Sequence, residues 1–210
     1  MHSLFGVAVA VPIVWLVRAP VAQWIERRSP EPKAVGSIPI RRTITRKRRI
    51  VRDLERQSSD SQYMALALTE ARLAFDRGEI PVGAVVVIDE CVVAQAGNTV
   101  EAEGDPRAHA ELRAVAIAGE KLGWRAFSRA TLYTTVEPCP MCAGMLVQLG
   151  FGRVVYGTES PLSGCAGTVV NLLDYPGMQQ HVLVTGGVER DKCQALVGSF
   201  FSSIRTCKTP

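Results

Sequence analysis

Apolar residues recur with a helical period in some stretches of this chain and run unbroken in others, and the alternation of the two predicts its elements. Over residues 63–77, Met64, Ala67, Leu68, Ala71, Ala74 and Phe75 fall on one helical face, and Gly78 ends the pattern. Residues 82–88 form a continuous apolar run, the mark of a buried strand, and Asp89 and Glu90 turn it into a second strand over 91–96. A polar loop with Gly104 and Pro106 fills 98–107, and a helix follows over 108–121. A strand at 132–136 leads to Pro140, which suits the first turn of a helix carrying 141–149. Strands at 153–156 and 182–185 and a closing helix over 191–205 complete the pattern. Strands alternating with helices predict an α/β fold, a three-layer α/β/α sandwich.

The candidate chemistry lies at two of the predicted helix starts. His109-Ala110-Glu111 and Pro138-Cys139-Pro140-Met141-Cys142 combine three metal ligands with a carboxylate that need not be one. Imidazole and thiolates from His109, Cys139 and Cys142 suit Zn2+, and three protein ligands leave a fourth position to water, the composition of a catalytic site. Glu111 would then carry protons between water, substrate nitrogen and leaving ammonia. His-x-Glu followed by Pro-Cys-x-x-Cys is the recorded signature of zinc nucleobase deaminases. Taken alone, the Cys-x-x-Cys would equally suit a redox pair, and a structural zinc would need a fourth ligand from Cys91, Cys165, Cys193, Cys207 or His181. None of those lies in a second paired motif. The four remaining cysteines are scattered like buried apolar residues, as in a cytoplasmic protein.

Further segments extend the match. Ile80-Pro81-Val82-Gly83-Ala84, Asn98, Glu137 through Gly144, Gly152-Arg153-Val154-Val155-Tyr156-Gly157, Pro176-Gly177-Met178 and Phe200-Phe201 together resemble the bacterial tRNA-specific adenosine deaminases of the cytidine deaminase-like fold. The resemblance covers nearly all of 61–210. It implies a central mixed sheet of about five strands, one Zn2+ per subunit on His109, Cys139 and Cys142, and Glu111 as proton shuttle. It also implies base contact by Asn98 between walls from Val82 and Val136, and Glu137 at the start of the helix bearing the cysteines. The implied activity is hydrolysis of adenosine to inosine at the wobble position of an arginine tRNA, on its anticodon stem-loop, by a cytoplasmic homodimer with no membrane association. The chain departs from the family after its Tyr156-Gly157 strand, where an Asp and then a Lys are usual and this sequence reads Thr158-Glu159-Ser160-Pro161-Leu162-Ser163. That departure keeps open a second reading, a deaminase of a free base or nucleoside of guanine or cytosine type on the same fold. A zinc-bearing scaffold without activity is a third, and Glu111 argues against it.

Charge divides the chain unevenly. The first 60 residues hold 12 Lys and Arg against five acidic residues, a net +7 that exceeds the whole chain's +4 and leaves 61–210 at −3. Phosphate contacts would therefore be local, from Arg107, Arg125, Arg153 and Arg205. Residues 1–60 lack the pattern of a folded unit: a short apolar run with one proline inside, four further prolines, then a basic stretch over 41–56. Val21-Ala22-Gln23-Trp24-Ile25-Glu26 and Gly36-Ser37-Ile38-Pro39 are what the D-arm and T-arm of a tRNA gene would encode, at the spacing of those arms. Residues 1–60 are accordingly expected to be a disordered or mis-started extension, and 61–210 the zinc deaminase domain.

Overall fold

The computed structural model describes the backbone of residues 40–207 and the side chains of residues 52–205. The two segments resembling tRNA arms lie outside the described residues. Helix α1 spans Ile40–Asp76, far longer than its apolar pattern, because the stretch contains neither Pro nor Gly to break it. It passes unbroken through the boundary expected at 60/61, and Asp60, on the excluded side, is buried.

The hairpin β1 (Gly83–Ile88) and β2 (Cys91–Gly97) turns at Asp89 and Glu90, both at positive φ as a tight two-residue hairpin turn demands. After it come α2 (Val100–Glu103), α3 (Ala110–Leu122), a 3₁₀ turn (Trp124–Arg129) and β3 (Ala130–Val136). The chain continues through α4 (Pro140–Gln148), β4 (Arg153–Thr158), β5 (Leu183–Thr185) and α5 (Arg190–Cys207). Neither α2 nor the 3₁₀ turn was expected from the pattern, since each is too short to display a period.

The five strands form one mixed sheet in the order β2-β1-β3-β4-β5, antiparallel up to β3 and parallel beyond it. Every residue of β1 is buried, as its unbroken apolar run requires. Val85, Val87, Tyr133 and Val155 pack on Met64 and Ala67 of α1 and Cys193 of α5. On the opposite face Ala84, Val86, Leu132 and Val154 pack on Ala110 and Ala114 of α3 and Ala143 and Leu146 of α4. Helix α1 lies so close to β1 that a Cβ at Gly83 would meet the Ala67 carbonyl and come 2.5 Å from the Ala71 nitrogen.

Register gathers one edge of this sheet. Gly83 pairs with Gly97, Ala84 with Thr134 and Val136 with Thr158, so Val82, Asn98, Glu137 and the segment after Thr158 all emerge together.

Candidate metal centre and active site

His109 is the residue before α3, with extended backbone (φ −69°, ψ 147°), and Cys139 holds the same position before α4 (φ −74°, ψ 173°), with Pro140 opening that helix. Glu111 and Cys142 follow in the first turns. Zinc bonds of about 2.0–2.1 Å to nitrogen and about 2.3 Å to sulfur, at the tetrahedral angle, set the two atoms about 3.6 Å apart. Nδ1 of His109 lies 3.6 Å from Sγ of Cys139 and 3.6 Å from Sγ of Cys142. The three donor atoms all fall within 4.8 Å of one another. Donor chemistry and spacing both fit zinc.

The electrostatics favour a cation there as well. A hydrogen bond from Cys142 draws the Cys139 pKa down to about 4 against the effect of burial, with His109 adding to the fall. That same contact, followed by burial, pushes the Cys142 thiol upward. Cys139 holds the His109 imidazole above its ordinary value, burial opposes this, and the charge of Glu111 helps. The Cys139 thiolate offers a divalent ion one ligand already deprotonated, and binding would displace the proton of Cys142 and any proton on His109. Burial raises Glu111 to about 7, and the negative charge of Cys139 adds to it, while its own backbone N–H, His109 and Cys142 act the other way. A carboxyl that titrates near neutrality can both take and give a proton at working pH.

These groups open into a cavity of about 430 Å³ lined by Val82, Asn98, His109, Glu111, Val136 and Cys139, among others. Of the seven expected site residues only Cys142 is absent from the lining, being fully buried beneath it. A larger groove of about 770 Å³ runs along α1 and α5 but contains none of the metal donors.

Pattern reading missed what holds the cavity walls. Glu137 is buried, and its carboxylate accepts the backbone N–H groups of Ser160 (3.1 Å), Ala166 (2.8 Å) and Thr168 (3.1 Å). It thereby fastens the stretch after β4, whose Ser160, Pro161, Leu162 and Ser163 form one wall. The expected place at the start of α4 is correct, but its work is to tie down that loop. A Cβ on Gly164 would strike this carboxylate. The Pro138 carbonyl is engaged the same way, accepting the Cys165 N–H at 2.9 Å. On the opposite wall Glu79, with no exposed surface, does the corresponding work around Asn98. No local motif shows what either carboxylate holds, because their partners lie about 20 to 30 residues away in sequence.

The expected phosphate contacts fare unevenly. Arg153 is withdrawn from them: it makes a paired contact with Asp60 at 2.8 and 2.7 Å and lies mostly buried. Arg107 is paired with Asp105, and Arg125 lies over the Trp124 ring. Among the described residues no helix is long and apolar enough to cross a membrane.

Residues 57–158 match the family described as the cytidine and deoxycytidylate deaminase zinc-binding region. A tRNA-specific adenosine deaminase of Bacillus subtilis (strain 168) is 40% identical over 151 residues, which cover 72% of this chain and 94% of that protein. Another, of Agrobacterium fabrum (strain C58), is 35% identical over 145 residues, 69% of this chain and 95% of the relative. A chain solved in a study of A-to-I editing by tRNA:A34 deaminases at the wobble position of transfer RNA aligns with a TM-score of 0.62 at 36% identity, over 64% of this chain and 98% of its own. A guanine deaminase from Nitrosomonas europaea, at 24% identity and a TM-score of 0.58 over 68% of this chain and 84% of its own, shares the fold.

Proposed function

The chain belongs to the zinc-dependent cytidine and deoxycytidylate deaminase family, among the tRNA-specific adenosine deaminases, and on that premise we propose that it hydrolyses adenosine to inosine at the tRNA wobble position. The observation that carries the reading is Glu111, a buried carboxyl poised near pH 7 in the same cavity as a His/Cys/Cys donor set. Relatives that cover nearly their whole length support tRNA as the substrate.

His109, Cys139 and Cys142 would hold the ion, which when bound acts as a Lewis acid that lowers the pKa of water toward neutrality. Glu111 takes the proton of the attacking water and passes it to the ring nitrogen beside the reacting carbon. A further proton goes through the same carboxyl to the exocyclic amine. The carbon–oxygen bond forms, the carbon–nitrogen bond breaks, and ammonia leaves. Val82 and Val136 confine the base and exclude bulk water, and Asn98 fixes its edge. Arginine tRNA as the particular substrate, a homodimer and a cytoplasmic site of action belong to the same proposal.

One observation favours the second reading, a free base or nucleoside. The cavity lining includes Glu79, Glu101, Glu137 and Glu159 but neither Lys nor Arg among the described residues, so it offers no direct grip on phosphate. The experiment is incubation with total tRNA followed by sequencing, where inosine reads as G. Conversion at the first anticodon position of arginine tRNA, in binding that weakens as salt rises, is the expected result. Ammonia released from guanine or cytosine with tRNA unchanged would establish the second reading instead.

A further inference from the structure

A side-chain amide reads a base only if its two ends are presented in a fixed order, because one end donates and the other accepts. Asn98 is buried at the cavity, and its Nδ2 donates to Oε2 of Glu79 at 3.2 Å. Glu79 has no exposed surface, and its carboxylate faces donors from the same wall alone. Oε2 also accepts the Glu101 N–H at 3.2 Å, and Oε1 accepts the Ala102 N–H at 2.8 Å. Both N–H groups belong to the first turn of α2, which Thr99 does not cap through its side chain. Glu79 therefore performs the capping from outside the helix.

Chemistry then fixes the amide. A carboxylate accepts and cannot donate, so Asn98 can meet Glu79 only through its NH2 group. Turned half a revolution, the amide would set oxygen against oxygen in a buried place, at the full cost of an unmade hydrogen bond. Asn98 Oδ1 has no partner among the described residues and is left to the cavity, whose wall includes both residues. We infer that Glu79 is a positioning residue for the reaction, which through Asn98 Nδ2 fixes the donor–acceptor order that the pocket presents to the base. The inference rests on the reading of Asn98 as the base contact.

Glu79→Gln in the full chain tests it. The variant keeps the shape, but its amide can both donate and accept, so Asn98 can bind it in either order. We expect kcat/KM on tRNA to fall about tenfold, the worth of roughly one hydrogen bond, with most of the loss in KM and zinc content unchanged. In an Asn98→Ala background the same substitution should change kcat/KM less than about twofold, since the group it positions is gone. A tenfold loss that persists in that background would show that Glu79 acts only by holding α2, and would overturn the inference.

A second measurement needs no substrate. Asn98 and Asn171 are the chain's two asparagines, so asparagine-labelled protein yields two side-chain amide pairs in a ¹⁵N–¹H spectrum, and Asn98→Ala identifies the pair at issue. Glu79→Gln should shift or broaden the Asn98 pair and leave Asn171 in place; an unmoved Asn98 pair refutes the coupling. If wild-type protein leaves tRNA untouched, the substrate reading fails on that result, and the spectrum still decides whether Glu79 fixes Asn98.

Discussion

Two glutamates of the site end with opposite properties. Burial disfavours the charge on both Glu111 and Glu137; it weighs more heavily on Glu111, and more N–H groups are aimed at Glu137. Glu137 receives three from the loop after β4, enough to overcome burial and hold it below the usual carboxylate value, whereas Glu111 has its own backbone N–H and rises to about 7. One stays charged and holds structure; the other is free to move protons. Glu111→Ala should therefore keep zinc, measured by metal analysis, while turnover falls by ~10²–10⁴. A zinc-free variant, or unchanged turnover, would refute the shuttle role. Glu137→Gln should weaken the folded state by about 1–3 kcal/mol at neutral pH, since one amide oxygen cannot serve three donors. Because the folded-state pKa of Glu137 is depressed, its contribution is full above the ordinary value of 4.5 and vanishes as pH falls through the lowered value. Wild type and variant should thus converge in unfolding midpoint under acid, and a constant gap would contradict this. The role of Glu111 was legible in the sequence because its partner stands two residues away, while the loop tether made by Glu137 was not, because its partners are distant.

Helix starts deliver both halves of the metal site, and this much could be read from sequence. Pro140 marks the first turn of α4, and the helix expected over 108–121 carries His109 in its first turn, although the structure begins α3 one residue after it. Helix α2 and the irregular segment between β4 and β5 escaped, since what shapes them is hydrogen bonding to remote carboxylates and not a period of their own; the 3₁₀ turn is too short to display one. Cys142 has a structural share that Cys139 lacks, being fully buried among the residues that support α4, while Cys139 faces the cavity. Cys139→Ala and Cys142→Ala should each lose zinc and activity. The larger fall in thermal midpoint is expected for Cys142→Ala, which also leaves a void in the core. Zinc-loaded, active variants would refute the ligand set. Equal midpoints would refute only the distinction between the two sulfurs.

At the scale of the whole molecule, the five strands follow from the alternation of apolar runs, but the place where the folded unit begins does not. Periodicity starts at Tyr63, while a charged residue before it does essential work: Asp60, buried at the sheet's far face, accepts two hydrogen bonds from Arg153 and one from Tyr133 Oη at 2.9 Å. Arg153 in turn reaches Thr185 of the edge strand at 2.8 Å, so one carboxylate links α1, β3, β4 and β5. A pattern of apolar positions cannot reveal a buried ion pair, because its members read as surface. We propose that the deaminase domain includes this part of α1, so that a chain begun at Arg52 keeps full stability and one begun at Ser61 does not. Asp60→Ala in the full chain isolates the cause. It should destabilise the protein in urea by roughly 3–5 kcal/mol, because Arg153 and the Tyr133 hydroxyl remain buried without their acceptor. Adding Arg153→Met should recover much of that loss, since an apolar side chain of similar length needs no partner. Zinc should stay bound throughout, for the metal donors lie at the opposite edge of β3. If Asp60→Ala unfolds at the wild-type midpoint, the pair contributes nothing and the proposal that the domain includes this part of α1 is overturned.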